Sequence, residues 1–122
     1  MRRGRPTAPR ASGWRIAAAT RPWARARGLL GRRGLAEDEG LWLPVRSVHA
    51  IGMRFALDLV WLDRTGNVAR LDEDVRPGRL RTCAAARGGV IEVAAGRGRD
   101  LAAALGRQAS GSWSSSRVRE PR

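Results

Sequence analysis

The sequence predicts a small, mostly β domain of the α+β class, in which short strands form a twisted antiparallel sheet with one or two short helices. Three observations support this prediction. The apolar segments are short, turn signals containing Gly, Pro or Asp separate them, and 122 residues leave room for one small domain. A sheet that curls into a small barrel is the alternative arrangement of the same strands.

The secondary structure of the first third of the chain is predicted from its turn and cap residues. Residues 1–12 are rich in Pro, Gly and Arg, which is typical of a disordered leader. Pro22 suits a helix start and predicts one or two helical turns over Trp23–Leu30, whereas Pro44 stops a strand. The strands predicted in this part are, in chain order, Gly13–Thr20, Leu41–Leu43 and Ser47–His49.

The clearest strand is the apolar run Leu57–Leu62, which turn residues bound and which is predicted to be buried on both faces. Because side chains alternate along a strand, Leu57, Leu59 and Trp61 share one face, and Asp58 shares the other with two aliphatic residues. An unpaired carboxylate in that position would cost several kcal/mol, so Asp58 requires a partner.

Backbone N–H groups, Arg54 and His49 are the partners of Asp58 that lie nearest in sequence. The favoured interpretation is a structural carboxylate that pins the loop preceding the strand. A functional carboxylate is the alternative, since buried titratable groups also occur at functional sites.

The turn after this strand is well determined by its residues. Asp63-Arg64-Thr65-Gly66 has Asp first and Gly last, as a type I turn followed by a bulge requires. Asn67–Leu71 then returns as the partner strand of a hairpin. Beyond it, Asp72–Gly89 is predicted as a long polar connection with a turn at Pro77-Gly78, Val90–Ala94 as the last strand, and Asp100–Leu105 as a short Ala-rich helix.

Charge is unevenly distributed along the chain, whose net charge is +13 and whose basic residues are all Arg. Residues 1–33 carry ten Arg and no acid, residues 34–106 carry ten of each, and residues 107–122 carry four Arg and one acid. We therefore predict one β-rich domain at 13–106 between a disordered basic leader, 1–12, and a disordered basic tail, 107–122. A neutral domain disfavours sequence-reading nucleic-acid binding and leaves weak nonspecific binding through the Arg-rich termini.

Several other classes of site lack their sequence signals. No secretory signal or membrane-spanning run is found, so a cytoplasmic location is expected. Cys83 is the only cysteine, and His49 is the only histidine, so neither a disulfide nor a Cys/His metal site is expected. The chain also lacks the glycine-rich motifs that bind nucleotides, and no cofactor is predicted.

The central segment resembles the family known as domain of unknown function 192, a group of small, mostly bacterial proteins without an established activity. The matching residues are Gly28–Arg32, Gly40–Leu43, His49, Gly52-Met53-Arg54-Phe55, Asp58, Asp63, Gly66, Val68 and Val90–Gly96. The resemblance covers roughly residues 13–106 and implies the fold and a shared motif, without a function. Within that motif, the positions interpreted as structural are Gly52, Asp63, Gly66, Glu92 and Gly96.

The favoured function is a non-enzymatic binding or accessory module, whose partner is an unknown protein or a small anionic ligand. The hypothesis rests on the forked hydrogen-bond donor that an arginine supplies beside apolar walls. Its candidate ligand-binding residues are the polar His49, Arg54 and Asp58 and the apolar Met53, Phe55 and Trp42.

A hydrolase-like enzyme that uses Ser47, His49 and Asp58 is the alternative from another class. These are the residue types of a nucleophile relay. Nothing in the sequence identifies an oxyanion hole, however, and no catalytic residue is assigned.

Overall fold

The computed structural model describes residues 8–19, 34–49 and 54–109. These residues form seven strands and one helix. The elements are β1 (Arg15–Ala18), β2 (Glu39–Leu43), β3 (Ser47–His49), β4 (Leu57–Leu62), β5 (Val68–Val75), β6 (Leu80–Thr82), β7 (Gly89–Ala94) and α1 (Gly98–Ala109). The helical turns predicted over Trp23–Leu30 lie outside the described residues.

Five strands form an open sheet in the order β1-β2-β7-β4-β5. Neighbouring strands are antiparallel except β1 and β2, which are parallel, so the sheet is mixed. The mostly β prediction is confirmed. The sheet does not close into a barrel, because β1 and β5 occupy its two edges. A long connection between β1 and β2 permits the parallel pairing, which a tight hairpin turn could not.

Strand β4 lies at the centre of the fold, between β7 and β5, and all of its residues are buried. Its two faces are those that the alternation of side chains predicted. Leu57, Leu59 and Trp61 belong to one hydrophobic core, and Val60 and Leu62 belong to the other. The sheet is therefore covered on both sides, and its central strand carries side chains into both cores.

Different elements cover the two faces of this sheet. On one face, Leu101, Ala104 and Leu105 of α1 pack into the core, which we call the helix-side core. On the other face, Val48 and Cys83 belong to the core beneath the two-stranded sheet β3–β6, which we call the small-sheet core. The described residues are consequently arranged in three layers, with the five-stranded sheet in the middle.

Packing extends beyond the segment 13–106 at both ends of the described chain. Ala8 and Ala11 pack against the helix-side core, and α1 continues to Ala109. This helix has twelve residues, and no helix among the described residues is both long and apolar enough to cross a membrane.

The β4–β5 turn has the predicted geometry. The Gly66 N–H donates to the Asp63 carbonyl at 3.0 Å, and Gly66 has a φ of 89°, which glycine adopts without strain. The Asp63 carboxylate accepts hydrogen bonds from the backbone of Thr65 and Asn67 at 2.9 and 3.0 Å. Burial opposes ionisation of Asp63, but the hydrogen bond from the Thr65 hydroxyl and those from the backbone together outweigh it and lower the pKa of the carboxyl group.

We expect Asp63→Ala to lower the free energy of unfolding by about 1 kcal/mol near pH 7, because the turn loses the carboxylate that accepts these hydrogen bonds. The lowered folded-state pKa means that the stabilisation is present above the unfolded pKa of about 3.9 and is lost as the pH falls through the folded pKa. Urea titrations of both proteins between neutral and acid pH should show a difference that shrinks in acid. A difference independent of pH would contradict this account.

Strand β5 is longer than the sequence predicted, because it continues through Asp72 to Val75. Polar residues are tolerated there since β5 is an edge strand, and the Trp61 indole N–H donates to the Asp72 carboxylate at 2.9 Å. Strand β6 also lies in the segment that was predicted as a polar connection, so that prediction is wrong in part. The predicted Pro77-Gly78 turn is present, and Gly78 has a φ of 87°.

Candidate functional site

Asp58 is buried on β4 and its partners are backbone N–H groups. Its Oδ1 accepts from Asp74 at 2.8 Å, and its Oδ2 accepts from Gly96 at 2.9 Å and from Gly98 at 2.8 Å. Both oxygens are thus engaged by main-chain donors. The carboxylate ties β5 and the start of α1 to the central strand, rather than pinning the loop that precedes β4.

Two features show how closely the backbone fits Asp58. Asp74 has a φ of 54°, and the pairing of β4 with β5 shifts register beside it, which marks a β-bulge. A Cβ on Gly98 would lie 2.9 Å from Asp58 Oδ2 and 2.6 Å from Leu71 Cδ1. Glycine is required at that position because the backbone must approach the carboxylate so closely.

The residues of the cleft predicted around Asp58 lie in different parts of the fold. Trp42 belongs to the helix-side core, whereas the half-buried Phe55 packs against the small-sheet core. His49 and Arg54 are exposed, and within the described residues no hydrogen bond or ion pair joins either of them to Asp58. Met53 and Gly52 lie outside the described residues. Binding by His49 and Arg54 stays a prediction.

The residues of the alternative relay are also spread over the fold. Ser47 and His49 both have exposed side chains on β3, and the Ser47 hydroxyl lies 3.0 Å from the hydroxyl of Thr82. Asp58, in contrast, has no exposed surface. The serine and histidine therefore face solvent while the carboxylate is enclosed by backbone groups.

Glu92 is the second acid without exposed surface among the described residues. It lies on β7 opposite Leu41 of β2 and Leu59 of β4. These neighbours place Glu92 on the small-sheet side of the main sheet, away from Asp58. The two buried carboxylates therefore occupy opposite faces.

A cleft of about 380 Å³ opens between the β2–β3 loop and the β6–β7 turn. One segment contributes Pro44, Val45 and Arg46, and the other contributes Ala86 and Arg87. Each segment thus supplies one arginine, and among the described residues no acid lines the cleft. The sequence hypothesis did not name this site, because its two halves are distant in the chain.

Main-chain hydrogen bonds hold both sides of the cleft in place. The Cys83 N–H donates to the Arg46 carbonyl at 2.9 Å, and the Gly88 N–H donates to the Leu62 carbonyl at 2.8 Å. The Trp42 indole N–H donates to the Gly88 carbonyl at 2.9 Å. Trp42 thus supports the turn that carries the second arginine, and the two arginine backbones have defined positions.

Five other arginines among the described residues form ion pairs with carboxylates outside this cleft. The ion pairs are Arg15–Asp38, Arg70–Asp72, Arg76–Asp74, Arg97–Asp100 and Arg99–Glu73. Within the described residues Arg46 and Arg87 form no such pair, and Arg46 makes a long hydrogen bond of 3.4 Å to the Ala84 carbonyl.

The sequence contains the signal for this asymmetry. Residues 40–57 and 75–91 contain no acid, and they include the whole of the small sheet β3–β6 and both sides of the cleft. The domain body is neutral in total, but its charge is polarised, with positive charge concentrated around the cleft.

A family model for DUF192, described as "Uncharacterized ACR", matches residues 7–110. The chain belongs to this family. The match confirms the resemblance carried by the central segment. The DUF192 family is itself uncharacterised, so membership alone assigns no activity.

Two solved structures resemble this DUF192 fold. A protein from Sinorhizobium meliloti 1021, provisionally described as a transcription regulator, is 24% identical, with a TM-score of 0.60 over 70% of this chain and 72% of its own. A protein of unknown function from Novosphingobium aromaticivorans DSM 12444 is 22% identical, with a TM-score of 0.61 over 76% of this chain and 69% of its own. At these identities the likeness establishes the fold alone. The comparison with curated proteins found no match.

Proposed function

We propose that this DUF192 protein is a non-enzymatic accessory module that binds an anionic group in the cleft between Arg46 and Arg87. One observation carries the proposal: two arginines without a carboxylate partner among the described residues line one cleft. Guanidinium groups bind carboxylates and phosphates through forked hydrogen bonds. An anion in the cleft would neutralise charge that the fold leaves uncompensated.

The dimensions and walls of the cleft narrow the class of ligand. A volume of about 380 Å³ is near the lower end of the range of small-molecule sites, which begins at about 300 Å³. Pro44, Val45 and Ala86 provide apolar surface beside the two arginines. A small carboxylate with an aliphatic part, or an acidic side chain of a partner protein, suits this combination. A cytoplasmic location is part of the proposal.

Catalysis by Ser47, His49 and Asp58 is the weaker candidate. The carboxylate that would orient the histidine already accepts three backbone hydrogen bonds and is buried, whereas the histidine is exposed. A general base must be oriented by a group within hydrogen-bond reach. The geometry therefore supports binding more strongly than turnover. Nonspecific nucleic-acid binding through the Arg-rich termini is a separate hypothesis, and most of the residues it concerns lie outside those described.

The proposal predicts that glutarate, a small dicarboxylate, stabilises the full chain against thermal unfolding at constant ionic strength. Arg46→Gln and Arg87→Gln should each weaken glutarate binding about tenfold, which corresponds to the loss of one charged hydrogen-bonding partner. Arg64→Gln is the matched control, because Arg64 is an exposed arginine on the β4–β5 turn, away from the cleft lining. Arg54→Gln tests the site predicted from the sequence in the same assay.

The outcomes separate the two sites. Loss of stabilisation in the Arg46 and Arg87 variants, with the Arg64 and Arg54 variants unchanged, would support the cleft. An equal loss of stabilisation in the Arg64 variant would reveal a general charge effect. A loss of stabilisation in the Arg54 variant alone would favour the site predicted from the sequence. Either result, or no stabilisation of the wild-type protein, would reject the Arg46–Arg87 cleft.

A further inference from the structure

Strand β3 begins at Ser47, directly after Arg46, which lines the Arg46–Arg87 cleft. It pairs with β6, and the hydrogen bond from the Cys83 N–H to the Arg46 carbonyl precedes this ladder. Because bonded and non-bonded pairs alternate in an antiparallel ladder, the backbone groups of Val48 face β6. Those of Ser47 and His49 therefore point away from β6, toward the outer edge of the small sheet.

Contacts on the other side of the small sheet agree with this alternation. The Arg70 guanidinium donates to the Thr82 carbonyl at 2.8 Å, so that carbonyl points away from β3. Thr82 is the partner of Ser47 in the register, and their hydroxyl oxygens are 3.0 Å apart, as the closer spacing of a non-bonded pair allows. The edge of β6 is thus capped by an arginine. Within the described chain, no corresponding side chain donates to the edge of β3.

The surface around the β3 edge combines apolar and basic side chains. Leu80 is paired with His49 in the register and is 56% exposed. The exposed Arg79 precedes Leu80, and the half-buried Arg81 follows it. An acidic strand added to β3 would extend a small sheet that carries these side chains on β6 and has Arg46 at the start of β3.

We propose that the occupant is an extended acidic segment of a partner protein, which adds as a strand to β3 and places one carboxylate in the cleft. This inference rests on the proposed function of the cleft. Main-chain bonds to Ser47 and His49 would supply affinity, and the cleft at Arg46 would select an acidic residue at one position. Strand addition to an exposed sheet edge is an established mode of peptide recognition.

The experiment uses the full chain and a capped seven-residue peptide of alternating Glu and Val, titrated by calorimetry. We expect this peptide to bind at least tenfold more tightly than glutarate, and the peptide with Gln in place of Glu to lose that gain. Two further versions of the peptide carry backbone N-methyl groups. One is methylated at the odd-numbered residues and the other at the even-numbered residues. In a strand that pairs along one edge, the N–H groups of alternate residues point toward the partner strand. Methylation of that set should abolish the gain in affinity, whereas methylation of the other set should leave it unchanged.

Variants of β3 supply a second test. His49→Pro removes an outward N–H that is not part of the pairing with β6, whereas His49→Ala keeps this N–H and removes the side chain. The proline variant should lose the peptide's advantage over glutarate, the alanine variant should keep it, and both should bind glutarate like the wild type. The methylated peptides keep the test decisive if the proline variant does not fold.

Each failure has a distinct meaning. Glutarate binding at the cleft without any gain for the peptide would overturn strand addition and leave the proposed function standing. Equal loss for both methylated peptides would also overturn it. No binding of glutarate would reject the cleft itself. If a single-stranded oligonucleotide of matched charge binds more tightly than the peptide, the partner class is wrong.

Discussion

Replacing Asp58 with alanine should lower the free energy of unfolding by about 3–5 kcal/mol, a large part of the total stability of a domain this small. The change removes the acceptor of three hydrogen bonds, of which the one from Gly98 is buried and those from Asp74 and Gly96 are partly buried. Each buried donor left unsatisfied costs about 1–3 kcal/mol. The loss also removes one of the ties that hold β5 and α1 to the central strand.

Urea unfolding of the full chain, followed by circular dichroism, measures this effect. Asp100→Ala is the matched control, because the Asp100 side chain is 61% exposed and pairs with Arg97 at the surface. The control should change stability by less than about 1 kcal/mol. Hydrogen exchange should show that α1 opens more readily in the Asp58 variant. A loss as small as that of the control would mean that Asp58 is not a structural tie.

Gly89→Ala should be the second most damaging of the changes considered, with a loss of about 2–4 kcal/mol. Gly89 has a φ of 89°, so an alanine is strained there whatever the surrounding space. In addition, the new Cβ would lie 2.4 Å from the Leu43 carbonyl oxygen and 2.7 Å from Trp42 Nε1. The backbone of β2 or of the β6–β7 turn would have to move, which would also disturb the cleft.

Gly66→Ala is the matched control for this change. Gly66 has the same φ of 89°, but no heavy atom outside its immediate neighbours lies within 4 Å of the position of a Cβ. The loss of stability in Gly66→Ala should come from backbone strain alone and amount to about 1 kcal/mol. The urea midpoints of the two variants are compared, because Gly66→Ala introduces backbone strain alone and Gly89→Ala introduces the same strain together with a steric clash. Equal losses would show that the close approach of Gly89 to β2 does not contribute.

The site predicted from the sequence and the proposed cleft differ for a physical reason. The sequence hypothesis chose Arg54 because it stands beside His49 and Asp58 in the chain. The observed cleft uses Arg46 and Arg87, which the antiparallel pairing of β3 with β6 brings to the same end of the small sheet. A single sequence does not specify which short strands pair, so proximity in the chain was the available criterion. The acid-free segments were the one sequence signal that pointed to this region.

Local rules were sufficient for the features that depend on a few consecutive residues. The Asp63–Gly66 turn, the two faces of β4 and the turn at Pro77-Gly78 follow from φ preferences and from the alternation of side chains. The central motif also identified the family. All of these were determined by the sequence itself, since their causes act within one turn or one strand.

Tertiary structure alone decided the contacts that join distant segments. Asp58 accepts hydrogen bonds from the backbone of Gly96 and Gly98, which are 38 and 40 residues away in the chain. The sequence showed that Asp58 needs a partner, but it did not identify these residues. The parallel pairing of β1 with β2, the extension of β5 and the cleft have the same origin. Burial creates the demand for a hydrogen bond locally, but the folded arrangement of distant strands determines which group satisfies it.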